Sequence, residues 1–91
     1  AQAGRQIECT IYKSAIWGRS KEMCDVSFDD PRISKQHCVF EVRECGVVLS
    51  DLNSHNGTYV NGIKIPAEHL LHVGDTLQLG NIVLRVIQLA R

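Results

Sequence analysis

Residues 37–44 read HCVFEVRE. In an extended chain Cys38, Phe40 and Val42 share one face while Glu41 and Arg43 take the other, the alternation of a strand half-buried against a core. A stable helix would instead repeat apolar residues at i, i+3 and i+4 over several turns, and no segment of this chain does so. PAEHLLHV, residues 66–73, comes nearest and spans too few turns to hold a helix.

Outward from this stretch, similar short runs recur at ECTIY (8–12), DVSF (25–28), VVLSDL (47–52), TYV (58–60), IKI (63–65), TLQL (76–79) and IVLRVIQL (82–89). Turn residues separate them: Gly18, Asp29-Asp30-Pro31, Gly46, Asn56-Gly57, Asn61-Gly62, Gly74-Asp75 and Gly80-Asn81. IVLRVIQL is apolar on both faces apart from Arg85 and Gln88, and reads as a central strand. Asn61-Gly62 is the dipeptide of a type I′ hairpin, whose two central residues both need positive φ, and Gly80-Asn81 is expected to turn the same way. The pattern predicts an all-β protein, an antiparallel sandwich or barrel of many short strands.

The chain has 91 residues, enough for one domain spanning 1–91. It begins at Ala1 rather than Met and ends one residue past an apolar run, so it is expected to be a module of a longer protein. Ten Lys plus Arg balance ten Asp plus Glu, which argues against nucleic acid as the partner because phosphate binding draws on a basic surplus. No apolar run approaches the roughly 18 residues of a membrane span, and no signal peptide is visible. Cys9, Cys24, Cys38 and Cys45 show no C-x-x-C spacing, which argues against structural zinc and suggests a reducing, intracellular setting, nucleus or cytoplasm. His69 and His72 are three apart, compatible with a metal on a helix, yet read more simply as polar loop residues; no metal or cofactor is expected.

Loops of a sandwich gather at its ends, where a rigid scaffold presents them together. Three polar clusters, WGRS (17–20), DDPRISKQH (29–37) and DLNSHNGT (51–58), are therefore the places to look for function. They carry the cations Arg19, Arg32 and Lys35, the hydroxyls of Ser20, Ser34, Ser54 and Thr58, and the amides of Asn53 and Asn56. Such a set suits a tetrahedral anion: an arginine fork spans two oxygens, a lysine adds a point charge, and a hydroxyl donates one hydrogen bond. Each residue alone reads equally well as an ordinary turn residue, so order and spacing must decide.

WGRS, then ISKQHCVF (33–40), DLNSHNGTYVNG (51–62) and LHVGDTLQLG (71–80), resembles the forkhead-associated (FHA) family over Trp17 to Gly80. The resemblance implies a sandwich of about eleven strands that reads phosphothreonine in a partner protein through the loops at one end, without catalysis. It implies that Arg19 grips the phosphate, Ser34 hydrogen-bonds a phosphate oxygen and Lys35 adds a phosphate contact. It gives Asn56 the peptide backbone just beyond the phosphorylated residue. Gly18, His37 and Gly57 shape the loops, with the His37 ring bracing them, while Cys38, Phe40 and Val42 anchor them to the core. Arg32, Ser54 and His55 are further candidate contacts. His55 stands where some members carry a threonine that touches phosphate, and either turns to solvent or approaches the anion. An alternative use of the same sandwich is a phosphate-independent scaffold that holds a partner or associates weakly with itself.

Overall fold

The computed structural model describes residues 7–90. Ten strands follow one another: β1 (Ile7–Ile11), β2 (Ala15–Gly18), β3 (Val26–Ser27), β4 (Cys38–Arg43), β5 (Gly46–Asp51), β6 (Thr58–Val60), β7 (Ile63–Lys64), β8 (Glu68–Leu70), β9 (Thr76–Leu79) and β10 (Ile82–Leu89). They form two five-stranded sheets, in the orders β1-β10-β9-β6-β7 and β3-β2-β4-β5-β8. Most pairings are antiparallel; β1 with β10 and β2 with β3 run parallel. The all-β chain expected from the alternation, and the antiparallel sandwich of about 10–11 short strands that the resemblance implies, are what forms, with two parallel pairings added.

The core lies between the sheets. Phe40 and Leu49 from one sheet and Leu77, Leu79 and Val86 from the other are fully buried, each burial contributing about 1.5–3 kcal/mol. Trp17 packs its ring 4.4 Å from that of Phe40 and 5.5 Å from that of Phe28, in tilted geometry. β10 is flanked on both sides, as its apolar character suggested.

Several local expectations are corrected. Trp17 and Gly18, read as part of a polar loop, belong to β2, because Trp17 pairs with Cys38 and buries its ring. EHL within the weakly helical PAEHLLHV is strand β8, drawn into the sheet by the pairing of Leu70 with Val48 and Glu68 with Ser50. Val42 faces the core side by alternation yet is 37% exposed, since β2 begins opposite Phe40 and leaves Val42 without a strand on that flank. Asn61 and Gly62 both have positive φ (53° and 82°), the type I′ signature. At Gly80-Asn81 only Gly80 does (56°), the signature of a type II′ turn instead.

Candidate functional site

At one end of the sandwich the loops 19–25, 28–37 and 52–57 meet the β9–β10 turn. Backbone hydrogen bonds stitch them: Arg19 N–H to Ser34 O (2.9 Å), Ser20 N–H to Lys35 O (3.1 Å), and Leu52 N–H to His37 O (2.9 Å). The first loop can approach this closely only because residue 18 is glycine. A Cβ there would stand 2.3 Å from Lys35 O and 2.9 Å from His37 N, both backbone atoms that cannot step aside. From below, Ile33, 1% exposed, plugs the second loop into the core between Arg32 and Ser34, which point out of it.

His37 is fully buried at the centre. Its Nδ1 accepts from Ser34 N–H (3.1 Å), which makes Nε2 the protonated nitrogen, and Nε2–H donates to Gly57 O (2.8 Å). The ring thus ties the Ser34 loop to the Asn56-Gly57 turn, and both nitrogens are used by backbone. Asp51 does comparable work one layer away. Its carboxylate accepts from the hydroxyls of Ser54 and Thr58 and from Ser54 N–H (3.0 Å). Burial pushes the Asp51 carboxyl up, but those three hydrogen bonds outweigh it and hold the group below the usual carboxylate range. Asp30 pins the neighbouring loop, accepting from Arg32 N–H (2.9 Å) and from Asn81 N–H across to the other sheet (3.0 Å). Those two amides, Arg32 first, lower its carboxyl pKa.

On this frame the polar side chains face outward with capacity to spare. Arg19 Nε–H donates to Ile33 O (2.9 Å), which fixes the guanidinium plane and leaves both terminal nitrogens without a hydrogen-bond partner among the described residues. Ser34 Oγ accepts from His55 N–H (3.0 Å) and keeps its own proton for a ligand. Asn56 donates from Nδ2 to Arg32 O (2.8 Å), leaving its carbonyl oxygen able to accept. The side chains of Arg32, Lys35 and His55 are exposed around the same loops. The ion pairs among the described residues are Arg43 with Glu41 and Glu68, and His69 with Asp75, all away from these loops. Arg19, Arg32 and Lys35 form no ion pair among the described residues, although the Asp30 carboxylate lies near enough to Arg32 to feel its charge.

Of the residues singled out from sequence, Arg19, Arg32, Ser34, Lys35, His55 and Asn56 therefore come together at the rim, with Gly18, His37 and Gly57 inside the frame. Ser54 is corrected: its hydroxyl donates to Asp51 and accepts from Gly57 N–H (2.9 Å), so it has no proton left for an anion. The anchoring role given to Val42 passes to Ile33. Asp51 and Asp30 were missed, although an aspartate three residues before Ser54 is the pattern of a side chain capping a turn. His69 lies on strand β8 and His72 just beyond it, so the two are not one helical turn apart, and no group of three or more side chains placed to hold a metal occurs among the described residues. All four cysteines are free. Burial pushes the Cys38 thiol far above its ordinary value, as befits a core residue.

Fold and site together define a β-sandwich module with a cationic loop site at one end. Residues 16–80 match the model of the FHA domain, and the chain belongs to that family. Among curated proteins it is similar to the proliferation marker protein Ki-67 of Mus musculus, 39% identical over 66 residues that make up 72% of this chain and 2% of Ki-67. The chain thus spans a small part of that relative's length. Among solved structures, the FHA domain of the CT664 protein from Chlamydia trachomatis superposes with a TM-score of 0.75 at 30% identity, covering 80% of this chain and 74% of that one. An FHA domain solved in a structural and functional analysis of phosphothreonine-dependent FHA domain interactions gives a TM-score of 0.70 at 33% identity, covering 80% of this chain and 77% of that one.

Proposed function

We propose that the chain is a phosphopeptide-binding module that recognises phosphothreonine in a partner protein and so couples association to a kinase. The observation that carries this reading is the gathering of three cations, Arg19, Arg32 and Lys35, none of them in an ion pair among the described residues, on the loops around the free hydroxyl proton of Ser34. Arg19 grips two phosphate oxygens with its terminal nitrogens, Ser34 donates to a third, and Lys35 adds charge. Asn56 accepts from the peptide backbone just past the phosphothreonine, holding the chain in register. The similarity to an FHA domain studied for phosphothreonine-dependent interactions supports the same assignment. The role is binding rather than catalysis: both His37 nitrogens are occupied by backbone, so Ser34 Oγ has no base to take its proton. No helix among the described residues is long and apolar enough to cross a membrane. The module is read as working inside the cell, in nucleus or cytoplasm, where threonine kinases write its ligand.

Hydrogen bonds to charged groups contribute roughly 1.5–3 kcal/mol each, and ordering a flexible peptide takes back several, so micromolar affinity, about −8 kcal/mol, is expected. The test is fluorescence anisotropy against matched phosphothreonine, phosphoserine and unphosphorylated peptide pools. Micromolar binding confined to the phosphothreonine pool, and lost by at least ~100-fold in Arg19→Ala with an unchanged thermal transition, is the expected result. A folded protein that binds no phosphorylated pool overturns the reading.

A further inference from the structure

One cation at the site end has no place in the sequence motifs. Lys64 lies on β7, seven residues beyond Gly57, and it pairs across the β6–β7 ladder with Tyr59, so its side chain stands on the outer face of its sheet. It does not extend freely into solvent from there. A Cβ built on Gly57 would stand 2.8 Å from Lys64 Cε, 3.2 Å from Cδ and 3.4 Å from Cγ. The aliphatic stem is therefore laid along the Gly57 backbone, in the space a side chain would otherwise fill. This is how a lysine buries its stem while keeping its charge in water. The ammonium, one bond beyond Cε, is carried to the edge of the Asn56-Gly57 turn. Lys64 has no ion-pair partner among the described residues. The same turn also meets Arg32, whose carbonyl accepts from Asn56.

We propose that Lys64 is a specificity-determining residue that selects an acidic side chain in the bound peptide, on the C-terminal side of the phosphothreonine. This rests on the phosphopeptide reading above, in which Asn56 holds the peptide backbone just past the phosphorylated residue. In that reading the phosphate is held by Arg19 and Ser34, and the peptide continues past Asn56 over the Asn56-Gly57 turn, against which the Lys64 stem is laid. The lysine stem is ordered by Gly57 before the peptide arrives, so little rotamer freedom is lost when a carboxylate meets the charge. The pair forms at an exposed rim, so its effect is modest, weakened by salt, and exerted on choice of partner more than on affinity. The occupant is thus an acidic phosphopeptide of the kind found in glutamate- or aspartate-rich segments.

The test scans a phosphothreonine peptide with Glu, Gln and Lys at each of the first six positions after the phosphothreonine. Dissociation constants are measured for the wild-type domain and for Lys64→Met, Lys64→Arg and Lys64→Glu. Wild type is expected to favour Glu over Gln at one or two adjacent positions by about threefold to fivefold at low salt. Lys64→Met, which keeps the stem, should erase that preference while still binding the Gln peptide as wild type does. Lys64→Arg should retain it, and Lys64→Glu should turn it toward Lys. Phosphate-dependent binding with a Glu preference absent in wild type, or unchanged in Lys64→Met, overturns this proposal and leaves the phosphopeptide reading standing. Loss of all phosphate-dependent binding in wild type overturns both.

Discussion

The two ends of the sandwich are built from the same residue types and put to opposite uses. At the loop end, Asn56-Gly57 stands beside Ser34, His37 and Asp51. At the other end, Asn61-Gly62 stands beside Thr76, His69 and Asp75. Asn61 uses its whole amide inside the fold, donating to Asp75 Oδ1 (3.0 Å) and accepting from Thr76 N–H (2.9 Å). Asp75 also accepts from His72 N–H (2.8 Å) and lies 3.5 Å from His69 Nε2. Burial pushes the Asp75 carboxyl up, but the hydrogen bonds from His72 N–H and Asn61, with the His69 ring close by, outweigh it and hold the carboxyl low. Apart from His69 Nε2, which is buried without a hydrogen-bond partner among the described residues, that end is closed: its polar groups satisfy one another. At the loop end the buried layer, His37 with Asp51, is equally closed, but above it Arg19, Ser34 and Asn56 each spend one polar group on the frame and keep another for a ligand. A site differs from a structural turn in what its hydrogen bonds leave over.

The largest test of this contrast removes the imidazole that makes the loop end rigid. His37→Ala strips Ser34 N–H and Gly57 O of their buried partner and leaves a cavity, which should cost roughly 3–5 kcal/mol. The thermal transition should then fall by about 12 °C or more, and phosphopeptide binding should be lost with it. A variant that melts like wild type would show that the loops do not depend on the ring. Next in size is Asp51→Asn, which keeps the shape but sets an amide donor against Ser54 N–H or the hydroxyls it now faces, at about 1–3 kcal/mol by urea unfolding at pH 7.

The same carboxylates set the acid response. A carboxyl held below its unfolded value contributes stability that is present above the unfolded pKa, near 4 for aspartate, and is lost as pH falls through the folded value. Asp30, Asp51 and Asp75 are all held low, so unfolding stability should be level from pH 7 to about 5 and fall steeply below about 4. The fall should be shallower in Asp51→Asn, which lacks one of the three groups; parallel curves for the two proteins would remove Asp51 from the account. The smallest expected effect compares the two glycines. Gly57 (φ 88°) and Gly62 (φ 82°) are both left-handed, so alanine at either should cost about 1–2 kcal/mol. Nothing lies within 4 Å of a Cβ at Gly62, whereas one at Gly57 would displace Lys64. Gly62→Ala should therefore leave peptide affinity unchanged, and Gly57→Ala should alter it.

Features that live within a few residues of one another could be read directly from the order of the amino acids. The alternation in 37–44 made a strand, because side chains on successive residues of an extended chain must face opposite ways. Asn61-Gly62 made its turn, because few other pairs accept two positive φ values in succession. The order and spacing of Arg19, Ser34, His37 and Asn56 carried the family, and with it the all-β sandwich. Tertiary structure decided what depends on partners far along the chain. Ser34 and Ser54 look alike in sequence, yet one keeps its proton and the other gives it to Asp51, because hydrogen-bond partners are assigned only when loops meet. β2 and β8 are strands because Cys38 and Val48 lie beside them, not because their own residues alternate. Lys64 meets Gly57 through space across a hairpin, and only the missing side chain of Gly57 makes room for its stem. Local rules act through covalent geometry and so can be read in order along the chain, whereas packing and hydrogen bonding are settled between segments that only the fold brings into contact.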